Sequence, residues 1–292
     1  MTTAEKLAAI LAAVQTDPGQ RGLAHDPHDN LFTATAGDFA AACQSIAATP
    51  VPHLVITTGF YIPWATPPAY ETDGPLGTLF LSRALTALGG FATLWVEPEL
   101  ESILHIGWRE AGYVPRPQPL PAPTHRVWIE RVGPATDGRY YSMRGRDVTA
   151  FHAPAPAAPA ALLTASATPL RSLGIGDGGN EIGMGKIPHT TMVKNIPLGA
   201  QIHCRIPTDD LLVCGVSNWG AYAVAAGLFL LRQTPPPREL FDPAIEQQIL
   251  EAMVREGPLV DGVTGQATAT VDGLSWEQYI QPLIRIRELL DQ

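Results

Sequence analysis

The chain has 292 residues, of which 46% are hydrophobic and only 16% are charged, and it contains 27 glycines and 28 prolines. This composition excludes a disordered chain and predicts a globular fold that is rich in turns and shaped loops. The formal net charge of −9 and the scattered placement of the 19 basic residues argue against a nucleic-acid partner and against an anionic membrane surface.

The cysteines and the N-terminal sequence indicate in which cellular compartment the protein resides. Cys43, Cys204 and Cys214 form no CxxC pair and leave one thiol over, so neither a zinc ribbon nor a disulfide framework is predicted. Residues 1–15 have the pattern of an amphipathic helix and lack a clear cleavage site, which argues against a signal peptide. A cytoplasmic protein with reduced thiols is therefore expected.

Short apolar runs alternate with helical patterns along the chain. The predicted strands are 53–58, 91–96, 126–132, 171–176 and 211–216, the predicted helices are 75–89, 99–111, 219–232, 243–256 and 276–290, and the proline-rich stretches 115–123 and 153–160 are predicted linkers. This alternation predicts an α/β fold with a layered, mainly parallel sheet, flanked by helices and joined by Gly/Pro-rich loops. Residues 1–50 are expected to form an N-terminal helical segment, and residues 51–292 one compact domain.

An uncharged run at 211–231 has the length of a membrane span. The polar turn from Gly215 to Gly220 interrupts it, so we predict a buried strand followed by a buried helix, without a membrane partner. The helix at 219–232 then packs either inside the fold or between subunits, which leaves a homo-oligomer as one of two alternatives.

The loop GIGDGGNEIGMGK at 174–186 carries the most information. Its first glycines match GxGxxG, but no acid follows at the end of the next strand, so no nicotinamide or flavin cofactor is expected. The P-loop pattern fails as well, because the lysine lacks a following serine or threonine. A tight turn with Asp177 as a helix N-cap is one interpretation, yet a cap needs none of Asn180, Glu181 and Lys186.

Carboxylates follow two of the predicted strands. Glu71 and Asp73 lie in the loop after the first strand, and Asp177 and Glu181 lie in the glycine-rich loop. N-capping of the following helices is an alternative role for them. Because the carboxyl ends of parallel strands meet at one edge of the sheet, the four acids are expected to converge, and like charges at close range require protonation or a cation. The hypothesis is a Mg²⁺ or Mn²⁺ site with these four residues as ligands.

Two further loops offer groups for a ligand. Arg144 in DGRYYSMRG is suited to a bidentate contact with a carboxylate, although a single arginine is as often a solvated surface group. Ser217 and Asn218 in SNWG either cap the next helix or contact a ligand. The segments at 261–265 and 271–274 are interpreted as turns, and the histidines as structural.

Together these motifs resemble the D-glutamate cyclase domain family. The resemblance rests on ETDGP (71–75), IERVG (129–133), DGRYYSMRG (137–145), GIGDGGNEIGMGK (174–186), GVSNWGAYA (215–223) and the DGV and VDGL pair (261–274), which follow the family's order. It implies an α/β domain and an enzyme of the hydro-lyase type, which cyclises D-glutamate to 5-oxo-D-proline with loss of water. Ser142, where an asparagine is more usual, and the Ala/Pro-rich run 151–170 depart from the related proteins.

The implied reaction assigns roles to these residues. The α-amine must lose its proton and attack the γ-carboxylate carbon, and one oxygen must leave as water. Asp177 and Glu181 are the expected proton acceptors, and Lys186, a metal or the backbone N–H groups of the glycine-rich loop are the expected oxyanion donors. The expected contacts with the acidic small-molecule substrate are Asn180, Arg144, Gly178, Gly179, Ser217 and Asn218.

Two other classes of function stay open from the sequence. A divalent-metal-dependent hydrolase or phosphatase acting on a small anion would use the same acidic cluster and would bind phosphate with the glycine-rich loop. A non-catalytic module for an amino acid or a nucleotide would bind its ligand without turnover. Activity on phosphoesters, or stable binding without turnover, would distinguish these alternatives from the cyclase.

Overall fold

The computed structural model describes residues 1–113, 120–152 and 170–292. In these residues the strands are β1 (His53–Thr58), β2 (Tyr61–Ile62), β3 (Ala69–Tyr70), β4 (Phe91–Leu94), β5 (His125–Ile129), β6 (Arg171–Gly176) and β7 (Asp210–Val213). Five of them form one parallel sheet in the order β4-β1-β5-β6-β7, and β2 pairs with β3 in an antiparallel ribbon. The layered, parallel α/β architecture predicted from the sequence is confirmed.

The helices of the described residues are α1 (Thr3–Val14), α2 (Leu31–Ala34), α3 (Asp38–Ala48), α4 (Pro75–Ala87), α5 (Pro98–Glu110), α6 (His189–Asn195), α7 (Gly199–Ile202), α8 (Ser217–Leu231), α9 (Pro243–Glu256), α10 (Trp276–Tyr279) and α11 (Gln281–Asp291). The single helix predicted at 276–290 is thus wrong, because two helices occupy this segment. Pro282 lies in the first turn of α11 and has no N–H with which to continue the hydrogen bonds of α10. The predicted linker at 153–160 lies outside the described residues, and so do residues 115–119 of the linker predicted at 115–123.

Helix α8 lies at the centre of the fold and is buried from Ser217 to Phe229. It packs against α1, α3, α4 and α11, so the N-terminal helices share one hydrophobic core with the sheet. Close packing against α4 requires a glycine, because a Cβ atom on Gly77 would lie 2.8 Å from the Cα atom of Asn218. In the described parts of the chain, no helix is both long enough and apolar enough to cross a bilayer.

The sheet brings three chain segments together at the carboxyl ends of its central strands. Glu130 directly follows β5, Asp177 directly follows β6, and the segment after β1 leads to Glu71 and Asp73. The backbone N–H of Glu130 still donates to the carbonyl of Ile175, at 3.1 Å, which fixes the ends of β5 and β6 relative to each other. In parallel α/β sheets this edge is where ligands bind.

Candidate active site

A cavity of about 520 Å³ opens at this edge of the sheet. Its acidic lining consists of Glu71, Glu130, Asp177, Glu181 and Asp272, and Arg21 also lines it. Asp73 lies beside them and is 1% exposed. Six carboxyl groups and the Arg21 guanidinium therefore lie close together in a largely buried volume. This excess of negative charge calls for bound protons or for a further cation.

Asp73 is held by the backbone of α8. One of its oxygens accepts a hydrogen bond from the Ser217 N–H at 2.8 Å, and the other accepts from the Asn218 N–H at 2.8 Å and the Gly74 N–H at 2.9 Å. Its carboxylate thus occupies the N-terminal end of α8, where backbone donors and the helix dipole favour negative charge. The alternative role predicted for Asp73, N-capping of the following helix α4, is wrong, because α4 has no side-chain cap and the Asp73 carboxylate instead accepts the first N–H groups of α8.

Glu130 is fixed by an unusual backbone conformation and one short contact. Its φ of 46° lies in the left-handed region, which a non-glycine residue rarely adopts and which turns the chain sharply after β5. The Ser217 hydroxyl donates to its Oε2 atom at 2.6 Å. The hydroxyl of Ser217 therefore orients a site carboxylate, and Ser217 does not itself line the cavity.

The glycine-rich loop folds around Glu181. The Glu181 carboxylate accepts hydrogen bonds from the backbone N–H groups of Asp177 at 3.2 Å and Gly179 at 2.8 Å. Gly179 has a φ of +103°, so this turn requires a residue without a Cβ atom. The sequence predicts that N–H groups of this loop donate to an oxyanion, but these two donate to the Glu181 carboxylate. Glu181 therefore stabilises the loop and is also part of the cavity wall.

Arg21 enters the acidic cluster from the segment between α1 and α2. Its guanidinium forms ion pairs with Asp177 at 2.5 Å and with Asp272 at 2.9 Å. The Asp17 carboxylate fixes this segment by accepting hydrogen bonds from the N–H groups of residues 21, 22 and 23 at 2.8–3.0 Å. The buried Asp261 carboxylate accepts the Gly273 N–H at 2.8 Å and so anchors the turn that carries Asp272.

The environment raises the pKa of most of these acids. Burial is the largest cause, and neighbouring carboxylates add to it, so the pKa values of Glu71, Asp73 and Glu130 all lie well above those of exposed acids. The pKa of Asp177 is also raised by burial, against the opposing effect of Arg21. Burial raises the pKa of Asp272 to about 7. Negative charge is therefore costly in this cluster unless a cation accompanies it.

Three of the carboxylates are arranged to hold a metal ion. Asp73, Glu130 and Asp177 each offer an oxygen atom, and these atoms lie within 4.8 Å of one another. An all-carboxylate set of oxygen donors suits Mg²⁺ or Mn²⁺. The donor chemistry and the excess of buried negative charge therefore fit a divalent cation, and two of the three residues are among those predicted as ligands.

The family model described as "D-glutamate cyclase-like, C-terminal" matches residues 10–287. The chain belongs to this family. It is 29% identical to "D-glutamate cyclase, mitochondrial" from Homo sapiens, over 98% of this chain and 52% of that protein, so it spans about half the length of this relative. A crystal structure of RecJ in complex with Mn²⁺ from Thermus thermophilus aligns with 99% of this chain and 43% of that one, with 13% identity and a TM-score of 0.33, a likeness too low to support an argument.

In this member of the family, five of the eleven site residues expected from the sequence line the cavity. Glu71, Asp177, Glu181, Asn180 and Arg144 line it. The Asn180 side chain is buried and donates to the Tyr141 carbonyl at 2.9 Å. Arg144 is exposed at the rim, and within the described residues it has no ion pair. Gly178 is confined by the loop, because a Cβ atom there would lie 2.9 Å from the side chains of Asn180 and Glu181.

The structure does not bring Lys186 or Asn218 into the cavity. The Lys186 ammonium donates to the Asp38 carboxylate at 2.5 Å and to the Asp209 carbonyl at 2.6 Å, beside the start of β7. The Asn218 Oδ1 atom accepts the N–H groups of Gly74 at 2.9 Å and Gly77 at 2.7 Å at the start of α4. Lys186 therefore ties α3 to β7, and Asn218 ties α4 to α8.

Three residues of the cluster were not assigned a role from the sequence. Glu130 and Asp272 lie within IERVG and VDGL, two motifs that carry the family resemblance. The sequence predicts a strand at Glu130 and a turn at Asp272, and neither prediction gives these residues a role in the site. Both adopt positive φ, 46° and 57°, which the sequence does not reveal for non-glycine residues. Arg21 lies outside every motif, and only the tertiary fold brings it to Asp177.

Proposed function

We propose that this domain cyclises D-glutamate to 5-oxo-D-proline with release of water. The observation that carries the proposal is the convergence of Asp73, Glu130 and Asp177 at the strand ends of a chain of this family. Cyclisation of a free carboxylate needs positive charge at the γ-carboxylate and proton transfer from the amine to the departing oxygen. A cavity with a candidate cation site and several protonatable carboxyl groups offers both.

The acidic trio would hold Mn²⁺ or Mg²⁺, and the ion would supply the Lewis acidity that a carboxylate electrophile requires. The other cavity residues act on the substrate itself. Asp272 lines the cavity and, when ionised, attracts the α-ammonium group of the substrate. The rim guanidinium of Arg144 attracts a substrate carboxylate. This placement brings the amine and the γ-carboxylate together in the folded conformation that ring closure demands.

Asp272 is the residue best suited to move the proton. A carboxyl group whose pKa is about 7 exchanges protons readily at neutral pH, and Arg21 holds its side chain in place at 2.9 Å. In our proposal Asp272 accepts a proton from the ammonium group before attack and returns it to the oxygen that leaves as water. The second proton passes from the attacking nitrogen to the departing oxygen as the ring closes, so that the oxygen leaves as water.

Proton NMR with D-glutamate and with L-glutamate, in the presence of Mn²⁺, tests the proposal. We expect 5-oxo-D-proline from the D-isomer, no product from the L-isomer, and a loss of at least about 100-fold in kcat for Glu130→Gln. Glu256→Gln, at an exposed glutamate on α9, is the matched control and should behave as the wild type. If the wild type converts neither isomer, the proposed reaction is wrong for this chain.

A further inference from the structure

The cavity is larger than free glutamate requires. Glutamate has about ten non-hydrogen atoms, which fill less than about 300 Å³ even at the volume per oxygen atom of liquid water. The cavity measures about 520 Å³. Volumes of this size commonly enclose ligands that are larger than a single amino acid. The site therefore has room for an additional group next to the substrate's glutamyl part.

Part of the cavity lining is apolar. This apolar wall consists of Phe60, Ile62, Trp64, Ile196, Leu198 and Val263. Leu198 and Val263 are both 39% exposed, although large apolar side chains of this fold are mostly buried. The Arg146 guanidinium lies 4.7 Å from the centre of the Trp64 ring and holds it in place.

The acidic lining of the cavity also repels a γ-amide less than it repels glutamate, which has two free carboxylates. Six carboxyl groups lie around the Arg21 guanidinium in and beside this cavity. A glutamyl compound whose γ-carboxyl is bonded to an amine carries one negative charge less than glutamate. An amide carbonyl is also a better electrophile than a carboxylate, because it bears no full negative charge.

We propose that the same site also cyclises γ-D-glutamyl amides whose amine carries an apolar or aromatic group. This inference rests on the proposed function and extends its substrate class. The acidic residues of the cavity take the glutamyl ammonium, and Trp64, Leu198 and Val263 of the apolar wall take the apolar group.

The chemistry needs no further reactant. The α-amine nitrogen forms a bond to the γ-carbonyl carbon, and the bond between this carbon and the amide nitrogen breaks. The ammonium nitrogen loses two protons in becoming the lactam N–H. Both protons end on the departing nitrogen of an aliphatic amine, whereas with p-nitroaniline one goes to the departing nitrogen and the other to solvent.

γ-D-Glutamyl-p-nitroanilide is the probe, because release of p-nitroaniline is followed by its absorbance and 5-oxo-D-proline by NMR. With the Mn²⁺-supplemented full chain, and with the uncatalysed rate subtracted, we expect kcat/KM for the anilide to exceed that for D-glutamate by at least about tenfold. Leu198→Ala should lower kcat/KM for the anilide by about fivefold, and by less for D-glutamate. Val193→Ala, at a 44% exposed valine on α6, is the control and should leave anilide turnover unchanged.

Each outcome decides between the two proposals. Turnover of D-glutamate without turnover of the anilide, or a lower kcat/KM for the anilide, overturns the inference and leaves the proposed function intact. Turnover of the anilide alone supports the inference and shows that free D-glutamate is not the substrate. Turnover of neither overturns both. An equal effect of Leu198→Ala on both substrates contradicts the role of the apolar wall.

Discussion

The metal-free protein should lose stability as the pH rises, and Asp272→Asn should remove part of this loss. The pKa of Asp272 is raised from 3.8 to about 7 in the folded chain. Its carboxyl is therefore protonated in the folded protein at pH values where it is ionised in the unfolded chain. Unfolding releases a proton in this window, so the free energy of unfolding falls as the pH rises from about 4 to about 7.

The size of the effect follows from the same values. At about 1.4 kcal/mol for each pH unit, a change of the pKa from 3.8 to about 7 corresponds to about 4 kcal/mol, of which about 2–3 kcal/mol falls between pH 5 and pH 8. Asparagine does not titrate and tolerates the left-handed backbone of this position, where φ is 57°. The variant should therefore become more stable relative to the wild type as the pH rises.

Urea unfolding in EDTA at pH 5 and pH 8 measures this difference. We expect the free energy of unfolding of Asp272→Asn, relative to wild type, to increase by about 2–3 kcal/mol between the two pH values. Asp291→Asn, at an exposed carboxylate in the last turn of α11, is the control and should show no such increase. A pH-independent difference for Asp272→Asn would refute the conclusion that burial keeps this carboxyl protonated near neutral pH.

Three further substitutions test individual contacts. Gly262→Ala should destabilise the fold by about 1–3 kcal/mol and reduce turnover, because a Cβ atom there collides with the Glu71 carboxylate; an unchanged melting temperature would contradict this. Asn218→Ala should cost about 2–3 kcal/mol in urea unfolding, since two N–H groups at the start of α4 lose their acceptor, and a cost below about 0.5 kcal/mol would argue against the contact. Lys186→Met should reduce stability by about 1 kcal/mol through loss of its bond to Asp38, with kcat within about threefold of wild type. A loss of about 100-fold in kcat for Lys186→Met would contradict this structural role and would indicate that Lys186 takes part in catalysis.

The sequence was sufficient to predict the fold because the chain alternates strands and helices clearly. The limits of β1, β6 and α9 agree with those predicted from apolar runs and from the proline and glycine residues that end them. The edge of the sheet at which the site forms also follows from this alternation, since parallel strands direct their carboxyl ends to the same side. Glu71, Asp73, Asp177 and Glu181 were therefore placed in one region by topology alone.

The composition of the cluster depended on features that the sequence does not contain. Arg21 reaches Asp177 across 156 positions of the chain, and no local pattern marks that pairing. Glu130 was predicted inside a strand, but β5 ends one residue earlier and a positive φ turns its side chain toward Ser217. Lys186 was predicted as an oxyanion donor because of its charge, but in the structure its ammonium group pairs with Asp38 on α3.

The central claim is that the carboxylates at the strand ends act with a divalent cation to cyclise D-glutamate. Turnover of D-glutamate by metal-stripped protein, followed by NMR during titration with Mn²⁺, tests it most directly. We expect no 5-oxo-D-proline in EDTA, a rate that rises until one ion is bound for each trio of Asp73, Glu130 and Asp177, and no such rise in Asp177→Asn. Full activity in EDTA, or no product at any concentration of Mn²⁺, would contradict the claim.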